Sequence, residues 1–200
     1  MMGRAEFSAV LLLMACGSVE VPTESVWRLP APRVEASPLS DTTILRVERL
    51  ELSGALPDDR LAIALGPHRL RIRELDRWSG PLQDLVSQAL TIGIARSHAF
   101  AQVKGPSEFG REDFVLGGRI LDFQEVVADR DRSARVTLDL RITRAVDGKL
   151  LWNHELSRSV GIEAPGAEGA VTALSRALEG VLGDTLQSCR EKGVVAAPLR

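Results

Sequence analysis

Two hundred residues with a formal charge of −2 suit one domain flanked by tails, and can bury a hydrophobic core without disulfides or a structural metal. Charges of both signs are interspersed, so nothing in the balance points to nucleic acid or to a broad anionic surface as partner. Aromatic residues make up 4% of the chain and Tyr is missing, which leaves little material for a platform that stacks bases or sugars.

The chain opens with Arg4 ahead of an apolar run from Phe7 to Ala15. As a helix that run would span about 14 Å at ~1.5 Å per residue, well short of the ~20 residues that cross a bilayer. A short apolar core ending on a small residue has the form of a secretory signal. Its last residues, Leu13-Met14-Ala15-Cys16, resemble the lipobox of bacterial lipoproteins, with an aliphatic residue at −3, a small one at −1 and Cys at +1. The resemblance implies a signal peptide over residues 1–15, cleavage before Cys16 and acylation of its thiol. The other reading of these residues is a buried N-terminal segment with an incidental Cys. Acyl chains contribute ~0.8 kcal/mol per buried CH₂, so several of them on one residue would make a durable membrane anchor. The next residue is Gly17 rather than Asp, and the lipoprotein resemblance then implies the outer membrane.

Residues 16–42 read as the lipidated Cys and a tether, with Pro22, Pro30, Pro32 and Pro38 and no apolar periodicity. Val26-Trp27-Arg28-Leu29-Pro30 is the apolar exception and is expected as a short edge strand, since Trp27 would otherwise be exposed. A folded domain over residues 43–190 follows, with a tail at 191–200. Alternation predicts a first strand from Ile44 to Leu52. Leu61 to Leu65 and Arg69 to Arg73, joined at Gly66-Pro67, predict a β-hairpin. Ser79-Gly80-Pro81 opens a helix that runs to about Arg96, capped by Ser79 or Gly80, with Leu82, Leu85, Val86, Ala89, Leu90 and Gly93 on its buried face.

Phe114 to Val127 predicts a long strand, within which Gly117-Gly118 marks a bulge or a close backbone approach. From Arg135 to Arg144, Val136, Leu138, Leu140 and Ile142 are expected inward and Arg135, Thr137, Asp139 and Arg141 outward. Asp147-Gly148 turns the chain into a strand from Lys149 to Val160. A last helix from about Gly166 to Arg190 carries Val171, Leu174, Leu178, Val181, Leu182 and Thr185 on one stripe. The sum is an α+β class: a mixed, mainly antiparallel sheet with two amphipathic helices packed on it. With Cys16 committed to lipid, Cys189 has no intramolecular partner, and is expected as a buried thiol or an intermolecular disulfide.

No catalytic constellation emerges. His68, His98 and His154 fall in different elements without HExxH spacing, and neither a GxSxG elbow nor a Walker-A loop occurs. Catalytic residues, a metal site and cofactors are therefore not expected. Glu125, Asp129 and Asp131 around Arg130 and Arg132 read as a solvated mixed-charge loop. Arg69, Arg71 and Arg73 project from one side of a strand, as a solvent face balanced by Glu74 and Asp76 or as a basic stripe for acidic headgroups or an acidic partner. Trp78 reads as a hydrophobic lock at the start of the first helix. Val26, Trp27, Arg69, Arg71 and Arg73 are the candidate partner-binding residues.

The order of these features resembles the ABC-type transport auxiliary lipoproteins, the paraquat-inducible protein C-like family. The residues carrying it are Trp27-Arg28-Leu29-Pro30, Leu45-Arg46-Val47, Asp76-Arg77-Trp78-Ser79-Gly80-Pro81-Leu82 and Phe114-Val115-Leu116-Gly117-Gly118-Arg119-Ile120. At Trp27 the family usually has Tyr, so the ring is kept and a hydroxyl lost. The resemblance implies an outer-membrane lipoprotein facing the periplasm, beside an ABC permease and ATPase and a mammalian-cell-entry-domain protein. Such systems move lipids across the envelope, and the same resemblance implies a homo-oligomer. A second reading is a lipoprotein activator or scaffold of a peptidoglycan synthase, and gene neighbours separate the two.

Overall fold

Strict alternation of side chains builds the longest strands. The computed structural model describes residues 23–36, 42–128 and 131–194. Strands β1 (Ser25–Trp27), β2 (Ile44–Val47), β3 (Glu51–Leu52), β4 (Arg60–Leu65) and β5 (Leu70–Trp78) precede helix α1 (Leu82–Arg96). Strands β6 (Gln102–Lys104), β7 (Phe114–Ala128), β8 (Asp131–Arg144) and β9 (Leu150–Gly161) precede helix α2 (Gly166–Glu191). No helix among the described residues is long and apolar enough to cross a membrane.

β7, β8 and β9 form an antiparallel meander. Along the other edge of β7, the short strands β2, β3 and β4 lie in succession, each parallel to it, at Leu45↔Phe114, Glu51↔Arg119 and Ala62↔Gln124. β6 extends the sheet beyond β2, while β5 and then β1 extend it beyond β4. The sheet is mixed and the domain is α+β, as expected. The single strand expected from Ile44 to Leu52 is two strands. Between them Leu50 turns away from the ladder, donates its amide to Ser87 Oγ on α1 at 2.9 Å, and buries its side chain.

Both helices pack on one face. Val136, Leu138, Leu140 and Ile142 of β8 are buried against the stripe of α2 formed by Leu174, Leu178, Val181 and Leu182. α1 adds Leu82, Val86 and Leu90 to the same core. A Cβ on Gly93 would stand 2.5 Å from Leu182, so the glycine lets the two helices approach. Trp78 locks the entry to α1 as expected: it is 1% exposed and meets Phe123 edge-on at 5.7 Å. Neither Ser79 nor Gly80 caps the helix. Pro81 occupies the N-cap without a side-chain bond, and the Leu82 amide donates to the Asp58 carbonyl at 2.6 Å.

Thr137 lies on the outward face as expected but is not exposed there. It is buried on the sheet face opposite the helices, with hydrogen bonds to Asp122 Oδ2 at 2.9 Å and Ser157 Oγ at 2.8 Å. A hydroxyl with both partners supplied can be covered at little cost. The edge strand expected around Trp27 is β1, and the chain after it stays on the body. Pro32 is buried, and the Arg33 amide donates to Glu179 Oε1 on α2 at 3.0 Å.

Of the two options raised by Gly117-Gly118, the close backbone approach is realised and the bulge is not. The register shift lies between Ile120 and Asp122, past the glycines. Gly118 is the close approach: its φ is +149°, and a Cβ there would stand 2.1 Å from the Asp139 carbonyl oxygen. Gly118→Ala should therefore cost ~2 kcal/mol or more in urea denaturation. Gly54→Ala, with open space around it, should stay within ~0.5 kcal/mol of wild type.

Candidate partner-binding surface

β5 is flanked on its outer side by β1, which pairs only with Asp76, Arg77 and Trp78. The stretch from Leu70 to Leu75 has no outer neighbour among the described residues, so its backbone edge is available for pairing. Directly paired residues share a face, and the register Leu61↔Arg73 and Ile63↔Arg71 sets both arginines on the helix-bearing side. The basic stripe is thus present as a geometric row. Its three members do different work.

Arg73 is committed within the structure. Its Nη2 donates to Glu125 Oε2 at 2.9 Å, while Arg132 Nε donates to Glu125 Oε1 at 2.7 Å. Asp76 lies 3.6 Å from Arg73. Glu125 is 3% exposed, so the mixed-charge loop expected around it is, at this residue, a buried clamp joining β5, β7 and β8. Asp129 and Arg130 lie outside the described residues. Burial alone would raise the Glu125 carboxyl, but the hydrogen bonds and charges of Arg132 and Arg73 outweigh it and hold the group below the usual range. Arg69 and Arg71 are exposed, and among the described residues neither has an ionic partner.

Trp27 is half-buried, with its indole N–H donating to Asp76 Oδ1 at 2.9 Å. Val26 is 62% exposed. Of the five candidates, Trp27 and Arg73 anchor the β1–β5 edge, and Val26, Arg69 and Arg71 are free to meet a partner. Leu70, Ile72 and Leu75 escaped the reading of the sequence: they are between 37% and 44% exposed. The alternation of arginine with leucine and isoleucine announces two unlike faces, but not that the apolar one lacks a helix above it.

Cys16 lies outside the described residues. Cys189 is on α2, 2% exposed and unpaired, and burial pushes its thiol up to about 12. Among the described residues no group of three or more His, Cys, Asp or Glu is placed to hold a metal ion.

The fold defines a class found in solved structures. Protein XCC0632 from Xanthomonas campestris, of the family DUF330, superposes with a TM-score of 0.71 at 16% identity, over 86% of this chain and 96% of that one. The hypothetical protein CT253 from Chlamydia trachomatis gives 0.54 at 10% identity, over 78% and 99%. At these identities the likeness is one of fold. The family model of the ABC-type transport auxiliary lipoprotein component matches residues 27–184, and the chain belongs to that family. No curated protein matches the sequence.

Two outcomes follow from this geometry. The lowered carboxyl of Glu125 contributes stability at neutral pH that is lost as pH falls below its ordinary value of 4.5 and through its folded value. Glu125→Gln, which leaves Arg132 without its counter-charge and Arg73 with Asp76 alone, should cost about 2 kcal/mol near pH 7 and flatten the acid limb of the stability profile, read by urea midpoints. Only a thiolate reacts, so Cys189 should resist a thiol-specific reagent in the native protein and react fully after unfolding in urea.

Proposed function

We propose that the protein is a non-catalytic auxiliary subunit of an envelope lipid-transport system, anchored through acylated Cys16 in the outer membrane and facing the periplasm. Its partners are an ABC permease and ATPase and a mammalian-cell-entry-domain protein. The observation that carries the reading is the family match, which runs from Trp27, the last residue of β1, to Asp184 in α2 and so takes in β2 to β9.

The sheet begins at Ser25, and an extended chain from Cys16 to that residue would reach at most about 30 Å. The domain then works close to the membrane. Val26, Arg69 and Arg71, with the open edge of β5, supply the surface on which a partner docks.

Mass spectrometry of the mature protein after membrane fractionation, with Cys16→Ala alongside, tests the reading. The expected result is a chain that begins at an acylated Cys16 in outer-membrane fractions and loses both properties in the variant. Affinity purification of the wild type should then recover the permease and the mammalian-cell-entry-domain protein. An unprocessed, soluble wild-type chain would sink the anchor, and recovery of a peptidoglycan synthase instead of a transporter would overturn the transport role.

A further inference from the structure

The hairpin register fixes which backbone groups of β5 face outward. The Leu65 amide donates to the Arg69 carbonyl at 2.7 Å, so Leu65↔Arg69, and with it Ile63↔Arg71 and Leu61↔Arg73, are the hydrogen-bonded pairs. Arg69, Arg71 and Arg73 therefore commit their backbone groups to β4. Those of Leu70 and Ile72 point the other way, and among the described residues no strand or other backbone group meets them. Past Arg73 the register shifts, and β1 takes over at Asp76. The open edge is a short regular stretch whose amides and carbonyls are set for a ladder.

The side chains along this edge are sorted by face. Arg69 and Arg71 stand on the helix-bearing side, exposed and without an ionic partner among the described residues. Leu70 and Ile72 stand on the other side, also exposed. A strand laid along the edge would place its own alternate side chains beside these two rows, and opposite charges across the ladder favour pairing while like charges oppose it. That constrains the occupant. A second copy of β5 would set arginine against arginine. The other edge strands of this chain bring no acidic row: β1 reads Ser-Val-Trp, β6 reads Gln-Val-Lys, and β9 has one carboxylate, Glu155, in its 12 residues.

We infer that the open edge of β5 takes up, as an added strand, an extended segment of a different protein in which acidic and apolar residues alternate. Its carboxylates meet Arg69 and Arg71, its apolar side chains lie beside Leu70 and Ile72, and its backbone completes the ladder. A wholly apolar strand would leave two guanidiniums unmatched. An acidic segment without alternation would set carboxylates beside Leu70 and Ile72. The inference rests on the docking surface of the transport reading and adds the pattern that the partner must carry.

The test is fluorescence anisotropy of the full chain, carrying Cys16→Ala, with a labelled, end-blocked octapeptide that alternates Glu with Val. It should bind. Three altered peptides should bind at least about tenfold more weakly: one with Glu and Val in separate blocks, one with Lys for Glu, and one N-methylated throughout, which cannot donate to a ladder. Arg69→Glu with Arg71→Glu, both at exposed positions, should weaken the Glu peptide by at least about tenfold and strengthen the Lys peptide. Ile72→Pro, which removes an outward amide and no bond to β4, should also weaken the Glu peptide, with thermal melting as the check on folding. Equal binding of the alternating and blocked peptides would overturn the two-faced pattern, and equal binding of the N-methylated peptide would overturn strand addition. An unchanged preference in the charge-reversed protein would remove the arginines from the site. A dimer of the protein alone, seen by sedimentation and dissolved by Ile72→Pro, would replace the acidic partner with a second copy. The assay contains neither membrane nor transporter, so its failure removes the strand assignment and leaves the anchor and the transport role to their own experiment.

Discussion

Pairing along both edges of β7 is the constraint on which the rest depends. On one side it holds β8 over nearly its whole length, and on the other it serves in turn β2, β3 and β4. Short strands of two to six residues hold little sheet structure alone. Lined up on one long template, they become a single surface whose apolar side receives both helices. The same strand sets the local exceptions. Gly118 admits the Asp139 carbonyl where any side chain would collide, and Glu125 near the far end ties Arg73 of β5 to Arg132 of β8.

Local pattern made much of this legible. Val136, Leu138, Leu140 and Ile142 alternate because one face of β8 is covered. Asp147-Gly148 is a turn because Gly148 takes a φ of +68° and Asp147 accepts the Lys149 amide at 3.1 Å. The stripe of α2 is a helical period with few interruptions, and the edge strand at Trp27 followed from the need to cover an indole. What stayed hidden depends on residues far apart in the chain. Nothing near Leu50 announces that Ser87 will take its amide, nor anything near Thr137 that Asp122 and Ser157 will take its hydroxyl. Arg73 and Glu125 meet across 52 positions, so a row of three arginines cannot be divided into one structural and two free members by spacing alone. Long-range parallel pairing of β2, β3 and β4 with β7 leaves no mark on local periodicity at all.

The two faces of the sheet divide the labour. The helix-bearing face spends its apolar residues on a core and buries the Cys189 thiol in it. The opposite face keeps polar pairs such as Arg119 with Asp139 and Thr137 with Asp122. Toward β4 and β5 that face also carries Leu70 and Ile72, 37% and 41% exposed.

The position of β1 has a mechanical consequence. A pull on the chain at Glu24 toward the N-terminus acts along the axis of β1, so the β1–β5 hydrogen bonds are loaded in shear and resist together, whereas a hairpin drawn from its end peels one bond at a time. Glu24 adds ionic contacts to Arg60 at 2.9 Å and Arg77 at 3.6 Å, and the Trp27 indole is hooked on Asp76. Behind them the buried Pro32 and the Arg33 amide on α2 form a second hold. Tension applied at Glu24 would thus be passed into the sheet at an interlocked joint and shared by β1, β5 and α2.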